Sequence, residues 1–171
     1  DLGAEIARPP VAIRGVAARD AERLIDLARE AMVTRHRDLD AFAWADPRDV
    51  RLIECGGGLQ FALIGVVPER RFVFESVYGL LTLKNGVPIG YALASALFES
   101  SEIAYNVFET FRGGEAAQVF GRLLAACRAL FGSETFSIDS YQLGAGNDEG
   151  LDSGAWWFYY KLGFRPRARS I

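Results

Sequence analysis

Residues 112–131 read RGGEAAQVFGRLLAACRALF, a strongly amphipathic helix pattern that follows two glycines. The apolar side chains recur at the spacing of one helix face and form a continuous stripe: Val119, Phe120, Leu123, Leu124, Cys127, Leu130 and Phe131. Gly132 follows, and glycine is the residue that most often ends a helix in the left-handed conformation. The pattern predicts a helix that begins at a glycine-containing loop, buries one face and ends at Gly132.

Strand patterns stand on both sides of this helix. Residues 102–108 alternate in polarity before it, and residues 135–140 form another strand pattern after it. Upstream, Asn85-Gly86 is the strongest two-residue signal for a hairpin turn. The hairpin arms are residues 78–84 and 87–98, and earlier strands are predicted at residues 11–14, 50–54 and 59–67.

Two further helices complete the pattern. Apolar residues at helical spacing in residues 24–32 predict one near the N-terminus. The last is predicted from Asp152 or Ser153 to Leu162, carries five consecutive aromatic residues and ends at Gly163. The order of elements predicts an α/β fold, in which a mixed, mostly antiparallel sheet is flanked by helices.

Composition limits the partners that we expect. The 171-residue chain carries 19 Lys and Arg residues against 22 Asp and Glu residues, a formal net charge of −3. A weakly acidic chain lacks the broad positive field on which non-specific nucleic-acid binding relies. The longest apolar runs, such as residues 61–67, are too short to span a bilayer. We therefore expect no nucleic-acid partner and no membrane partner.

Cysteine and histidine are scarce. Cys55 and Cys127 have neither a disulfide framework nor metal-ligand spacing, so we predict free thiols in a reducing compartment and a cytoplasmic location. His36 is the single histidine and stands among arginines, in a chain without a nucleophile motif, so we assign it no catalytic role. We expect no metal site, and chemistry that rests on carboxylates, a tyrosine or backbone amides.

The length predicts one domain with a single core. Residues 1–10 end in Pro9-Pro10 and are predicted to be a linker or the cut end of a longer chain. Residues 11–171 are predicted to form the single domain. Whether the domain belongs to a larger protein, and whether it forms a homodimer, stay open.

Two motifs, in this order, resemble those of the GNAT-type N-acetyltransferases. In that family the loop after the fourth strand has the form Arg/Gln-x-x-Gly-x-Gly/Ala, and residues 112–117 read RGGEAA. Later the family shows Asn-x-x-Ala, an aromatic residue before Tyr, and then Lys, Gly and Phe; residues 152–164 read DSGAWWFYYKLGF. The likeness covers residues 101–164 well and the N-terminal half in outline. It implies a GNAT-like acyl-CoA N-acyltransferase fold.

The resemblance implies a site for the acyl donor, which is acetyl-CoA or another acyl-CoA used as a co-substrate. A glycine-containing loop at a helix start offers unpaired amides and the positive end of the helix dipole, which suit a pyrophosphate. The strand before the loop would offer backbone groups to the pantetheine arm. The residues that the resemblance assigns to the donor are Val107, Phe108, Arg112, Gly113, Gly114, Glu115, Ala116 and Ala117.

Two residues are implied to be catalytic. Tyr159 matches the tyrosine that gives a proton to the departing thiolate in many GNAT enzymes, a role that suits a phenol with a pKa near 10. Packing in an aromatic stripe is the alternative role. Glu102 opens the strand where some members place a glutamate base, and Glu109 is the other candidate. Glu115 stands where the family has glycine, and a carboxylate that faced a bound pyrophosphate would repel it.

The function implied is an acyl-CoA-dependent N-acyltransferase that moves an acetyl or other acyl group to a primary amine of a small molecule or a peptide. Two alternatives stay open because a fold does not prove an activity. One is a non-catalytic binding or sensor module, and the other is an acyltransferase that takes its acyl group from a carrier protein.

Overall fold

The computed structural model describes residues 1–35, 40–111, 114–152 and 154–166. Within them lies a seven-stranded sheet in which each strand pairs with its neighbours in sequence. The strands are β1 (Ala12–Gly15), β2 (Ala45–Gly56), β3 (Leu59–Val66), β4 (Ser76–Lys84), β5 (Val87–Leu97), β6 (Ser100–Val107) and β7 (Thr135–Ser137). All pairs are antiparallel except β6 with β7, which is parallel. The architecture confirms the prediction of an α/β fold with a mixed, mostly antiparallel sheet flanked by helices.

Helices cover both faces of the sheet. They are α1 (Leu2–Ala7), α2 (Ala18–Val33), α3 (Asp40–Ala43), α4 (Ala116–Phe131), α5 (Asp148–Asp152) and α6 (Ala155–Lys161). Because successive strand residues point to opposite faces, Leu52 joins the core under α2 while Ile53 joins the core under α4. Tyr159 of α6 belongs to the α4 core. The α4 face therefore combines the two segments that carry the sequence motifs.

The helix and the hairpin predicted most directly from sequence are confirmed. Helix α4 ends at Phe131, and Gly132 takes the left-handed conformation with φ of 69°. Asn85 and Gly86, with φ of 51° and 80°, connect β4 to β5 through the pair Lys84 and Val87. Glycine tolerates a positive φ without a steric penalty, which explains why Gly132 follows α4 and Gly86 stands in the hairpin turn.

Strand β2 is longer than the predicted strand at residues 50–54. It begins at Ala45 and includes Pro47, a residue that cannot donate to a sheet ladder. The pairing of β2 with β3 is irregular between Ala45 and Val50, so the proline falls in an interruption of the ladder. Because the ladder is interrupted there, the missing N–H of Pro47 removes no hydrogen bond from the sheet.

The predicted linker at residues 1–10 contains helix α1. Asp1 caps this helix by accepting a hydrogen bond from the backbone N–H of Gly3 at 3.0 Å. The helix packs on α4 at Gly121, where an added Cβ would come within 2.7 Å of Glu5 Cβ. A side chain at position 121 would push α1 away, so glycine permits the close approach.

The C-terminal segment differs from its predicted elements. Strand β7 ends at Ser137, because Asp139 begins a 3-10 turn, Ser140–Leu143, by accepting from the N–H of Tyr141 at 2.7 Å. The predicted final helix begins later than expected, because α6 starts at Ala155, and a separate short helix, α5, ends at Asp152. Gly154 stands before α6 with a left-handed φ of 70°, a conformation that would interrupt one continuous helix.

Candidate functional site

A cleft opens where β6 and β7 diverge. The two strands pair only through Ser100, Ser101 and Glu102 of β6. Beyond this point the chain after β7 turns away into the 3-10 segment, while β6 continues to Val107 beside β5. The resulting cleft has a volume of about 480 Å³, within the range typical of small-molecule sites.

The hydroxyl of Tyr159 binds the backbone of β6 inside this cleft. Tyr159 Oη donates to the carbonyl oxygen of Tyr105 at 3.1 Å and accepts from the N–H of the same residue at 3.3 Å. Oε1 of Gln142 lies 3.4 Å from the same hydroxyl. Tyr159 therefore takes the place of a neighbouring strand at the point where β7 has left the sheet.

The ring of Tyr159 is fixed by aromatic packing. It lies edge-on to Phe120 of α4 at 5.9 Å and to Phe164 at 6.1 Å between ring centroids. The side chain is only 3% exposed. Burial, the largest effect, raises the pKa of Tyr159 to about 12, against the hydrogen bond from the Tyr105 backbone, which lowers it. The phenol is therefore protonated at neutral pH and can donate a proton but not accept one.

The backbone of β6 presents further groups to the cleft. Successive residues of a strand direct their N–H and C=O groups to alternate sides. Tyr105 directs both groups toward Tyr159, whereas the N–H of Phe108 bonds to Ile89 on the other side. By this alternation, the N–H and C=O of Val107 point to the same side as those of Tyr105, and Val107 lines the cleft. The divergence of the strands thus leaves a polar backbone edge at the cleft wall.

The start of α4 meets the other end of the cleft. Ala116, the first residue of α4, lines it. The first amides of a helix have no partner within the helix, and Glu115 at the N-cap makes no side-chain hydrogen bond to them. Gly114 is exposed, and a Cβ added there would have no neighbour within 4 Å. Among the described residues at this end of the cleft, Gly114 therefore leaves space beside the first amides of α4 for an anionic group.

Glu115 does not line the cleft. Its carboxylate lies 3.3 Å from Nζ of Lys84, which ends β4. That pair directs the acidic side chain toward the β4–β5 hairpin, away from the surface that holds Tyr159 and Ala116. A carboxylate held in this way opposes an anion at the helix start less than one that faces it.

The other predicted residues are distributed more widely. Phe108 is 2% exposed and belongs to the core on the α2 face, where the guanidinium of Arg35 lies 4.1 Å from its ring centroid. Ala117 and Glu102 are exposed and do not line the cleft, and Glu109 is exposed in the 3-10 turn Glu109–Phe111. Arg112, Gly113 and His36 lie outside the described residues. The structure thus brings Val107, Ala116 and Tyr159 together and leaves Glu102 apart.

The sequence analysis did not identify Gln142 and Asn147 as cleft residues. Gln142 and Asn147 come from the polar segment after β7 that carries no apolar periodicity. The side chain of Asn147 accepts from the N–H of Gly150 at 2.8 Å and donates to the carbonyl of Tyr141 at 2.9 Å. These bonds connect the 3-10 turn to α5. The sequence signal that could have identified this segment is the pair Asp139 and Asn147, because Asp and Asn favour caps of short helices and turns.

Within the described ranges, no group of three or more His, Cys, Asp and Glu side chains is arranged to hold a metal ion. No described helix is long and apolar enough to cross a bilayer. No family model matches the sequence, and no curated protein matches it. The likeness to GNAT enzymes therefore rests on the two motifs in the sequence alone.

Proposed function

We propose that this protein is an acyl-CoA-dependent N-acyltransferase of GNAT type, which transfers an acetyl or other acyl group to a primary amine. The observation that carries the proposal is the cleft at the divergence of β6 and β7, which is lined by Tyr159, by the edge of β6 and by Ala116 at the start of α4. These are the features that the two sequence motifs associate with the acyl donor.

The donor would lie along the backbone edge of β6. The N–H and C=O of Val107 would bind amide groups of the pantetheine arm, as a second strand would. The free amides at the start of α4, beside Ala116, would bind the pyrophosphate. A volume of about 480 Å³ suits the pantetheine arm and thioester, while the adenosine part would lie outside on the surface.

The chain's own contribution to the reaction would be positioning and proton transfer. The amine nitrogen attacks the thioester carbonyl, a C–N bond forms, and the C–S bond breaks. Tyr159 would give its Oη proton to the departing thiolate. Burial raises the pKa of this phenol to about 12, above the value near 10 that suits the role, so a bound donor would have to lower it. The N–H of Tyr105 would stabilise the phenolate that remains, because it already donates to that oxygen.

The proton of the amine needs a separate acceptor. Glu102 is exposed and does not line the cleft, so a direct role would require an acceptor bound on its side of β6. The number of strands before the glycine-containing loop also differs from the family pattern. The loop follows the sixth strand here and the fourth in GNAT enzymes.

A second candidate is a binding module with the same cleft and no turnover. It is favoured by the hydroxyl of Tyr159, which already donates to and accepts from Tyr105 within the chain. In that case Tyr159 closes the strand edge and serves stability alone. An acyltransferase with a carrier-protein donor would use the same cleft for the pantetheine arm.

The experiment that tests the proposal measures free thiol released from acetyl-CoA in the presence of a panel of primary amines and lysine peptides. We expect release that depends on the amine and is saturable in acetyl-CoA. Release with pantetheine-loaded carrier protein but not with acetyl-CoA would favour the carrier-protein donor. No release with either donor, together with measurable binding of acetyl-CoA, would favour the binding module.

A further inference from the structure

Arg122 is a buried cation on the side of α4 that faces α1. The residue is 1% exposed. Its guanidinium donates to the backbone carbonyls of Glu5 at 3.1 Å, Pro9 at 2.9 Å and Arg8. These carbonyls stand at the C-terminal end of α1, whose partial negative charge favours a cation.

The partners of Arg122 are incomplete. Its Nε is buried and has no hydrogen-bond partner, and no ion pair joins it to a carboxylate in the described part of the chain. A buried charge is normally paired, because removal from water is costly. Backbone carbonyls supply only part of that compensation. Arg122 therefore keeps an unpaired Nε–H and a positive charge that no carboxylate of the described residues compensates.

A small pocket lies beside this arginine. It has a volume of about 200 Å³. The β2–β3 turn at Gly56 and Gly57 forms one wall, and helix α4 forms the opposite wall. The polar and charged side chains that line it are Arg8, Cys55, Lys84, Glu115, Gln118 and Arg122. We refer to this space as the Arg122 pocket.

The charges around the Arg122 pocket are unequal. Arg8 is paired with Glu5 at 2.6 Å and Lys84 with Glu115 at 3.3 Å, whereas Arg122 has no carboxylate in the described residues. The three cations Arg8, Lys84 and Arg122 are thus balanced by only two carboxylates, those of Glu5 and Glu115. Glu115 is the more exposed of the pair that it forms with Lys84, so its side chain can turn toward solvent and release Nζ of Lys84.

We propose that the Arg122 pocket binds a phosphate group. Nζ of Lys84 and the guanidinium of Arg8 are the donors, and the buried guanidinium of Arg122 adds positive charge at the pocket wall. A pocket of about 200 Å³ has room for one tetrahedral oxyanion with a few waters. Arginine and lysine are the side chains that bind phosphate most strongly.

The phosphate group can have two sources. One is free inorganic phosphate. The other is the 3′-phosphate of coenzyme A bound in the cleft, because Glu115 lines the Arg122 pocket while its neighbour Ala116 lines the cleft. The two spaces are therefore lined by consecutive residues at the start of α4, on different sides of the helix. The site itself does not depend on the proposed acyltransferase function, since inorganic phosphate tests it alone.

Cys55 supplies a reporter inside the pocket. It is 6% exposed, and burial raises the pKa of its thiol. The charge of Arg122, its polar contact with the thiol and the charge of Arg8 partly offset that effect. A bound phosphate would cover the thiol and neutralise the nearby positive charges that lower its pKa. Alkylation of Cys55 would therefore slow. Cys127 is 0% exposed, and burial raises its pKa to about 12, so it gives a slow internal reference.

The first experiment compares potassium phosphate with potassium chloride at equal ionic strength. Alkylation of Cys55 by iodoacetamide is followed by peptide mass spectrometry at pH 8.5, and Tm is measured in parallel. Lys84→Gln removes one donor and frees Glu115 to repel the anion. Arg128→Gln is the matched control, because Arg128 is an exposed residue of the same helix paired with Glu134 at 3.1 Å.

We expect phosphate at tenfold its Kd to slow alkylation of Cys55 several-fold in the wild type and in Arg128→Gln. The same occupancy should raise Tm by about 3–5 °C in both. Lys84→Gln should lose most of both effects. Because phosphate stabilises folded proteins generally, only the difference between the two variants counts as evidence for the site.

An unchanged alkylation rate and Tm in the wild type at 50 mM phosphate would overturn the proposal. Equal effects of phosphate on Lys84→Gln and Arg128→Gln would overturn it as well. A parallel pair of titrations identifies the source. Slower alkylation with coenzyme A than with 3′-dephospho-coenzyme A assigns the pocket to the coenzyme. Slowing by inorganic phosphate alone assigns it to the free ion and leaves the acyltransferase proposal to its own test.

Discussion

The hydroxyl of Tyr159 binds both the N–H and the C=O of Tyr105, at 3.3 and 3.1 Å. A single side chain thus satisfies two backbone groups of β6 where the next strand has diverged. The same contact positions a protonated phenol in the wall of a cleft. The observed structural role and the proposed chemical role fall on the same oxygen atom, so variants of Tyr159 must separate them.

Tyr159→Phe removes the hydroxyl and keeps the ring packing. We expect turnover to fall roughly 10²–10⁴-fold, the usual contribution of general acid–base catalysis. Stability should fall by about 1–3 kcal/mol, because two backbone groups lose their partner. Tyr160→Phe is the control, since Tyr160 lies on the exposed side of the same helix. Undiminished turnover in Tyr159→Phe would leave the residue with a structural role alone.

Gly114→Ala tests the approach of a ligand to the start of α4. A Cβ at this position meets nothing within 4 Å, so the variant should melt within about 1–2 °C of the wild type. A bound pyrophosphate would meet that Cβ, and we expect the Kd for acetyl-CoA to rise about tenfold. Calorimetric titration measures the affinity. An unaltered Kd would mean that the pyrophosphate does not bind close to Gly114.

Glu102→Gln separates donor binding from proton removal. Because Glu102 is exposed and outside the cleft, the Kd for acetyl-CoA should stay within about twofold of the wild-type value. A selective fall in kcat at neutral pH, with less effect at high pH, would identify the carboxylate as the base for the amine. A tenfold weaker donor affinity would contradict the geometry of β6 described above.

Stability should fall at alkaline pH. Burial raises the pKa of Tyr159 and of Cys127 to about 12 each, above their usual values of about 10 and 8.5. Between the unfolded and folded pKa values the unfolded chain binds fewer protons, so each group reduces the free energy of unfolding by up to about 1.4 kcal/mol per pH unit. Urea unfolding between pH 8 and 11 measures this slope. In Tyr159→Phe the slope above pH 10 should be shallower, and an identical slope would contradict the assigned burial.

The elements that sequence predicts well here are those with strong local signals. Helix α4 has a continuous apolar stripe and a glycine end, and the β4–β5 hairpin has the Asn85-Gly86 turn. The motif at Tyr159 also places that residue correctly within a helix. In these cases the local preference and the packed structure agree, as expected of a foldable sequence.

Other features depend on contacts between distant residues. Helix α1 is short and owes its place to Arg122, which lies more than a hundred positions away and binds its last carbonyls. Helices of this length are marginal without such packing, so no local pattern identifies them. The contribution of Gln142 to the cleft likewise arises only after β7 ends early and the chain turns back toward Tyr159.

Calorimetric titration with acetyl-CoA tests the central claim most directly, because donor binding must precede any transfer. We expect a 1:1 complex with a Kd in the micromolar range usual for enzyme substrates, and a higher Tm on binding. The affinity should weaken in Gly114→Ala, as argued above. No heat of binding and no change in Tm at millimolar acetyl-CoA would contradict the assignment of the β6–β7 cleft to an acyl-CoA donor.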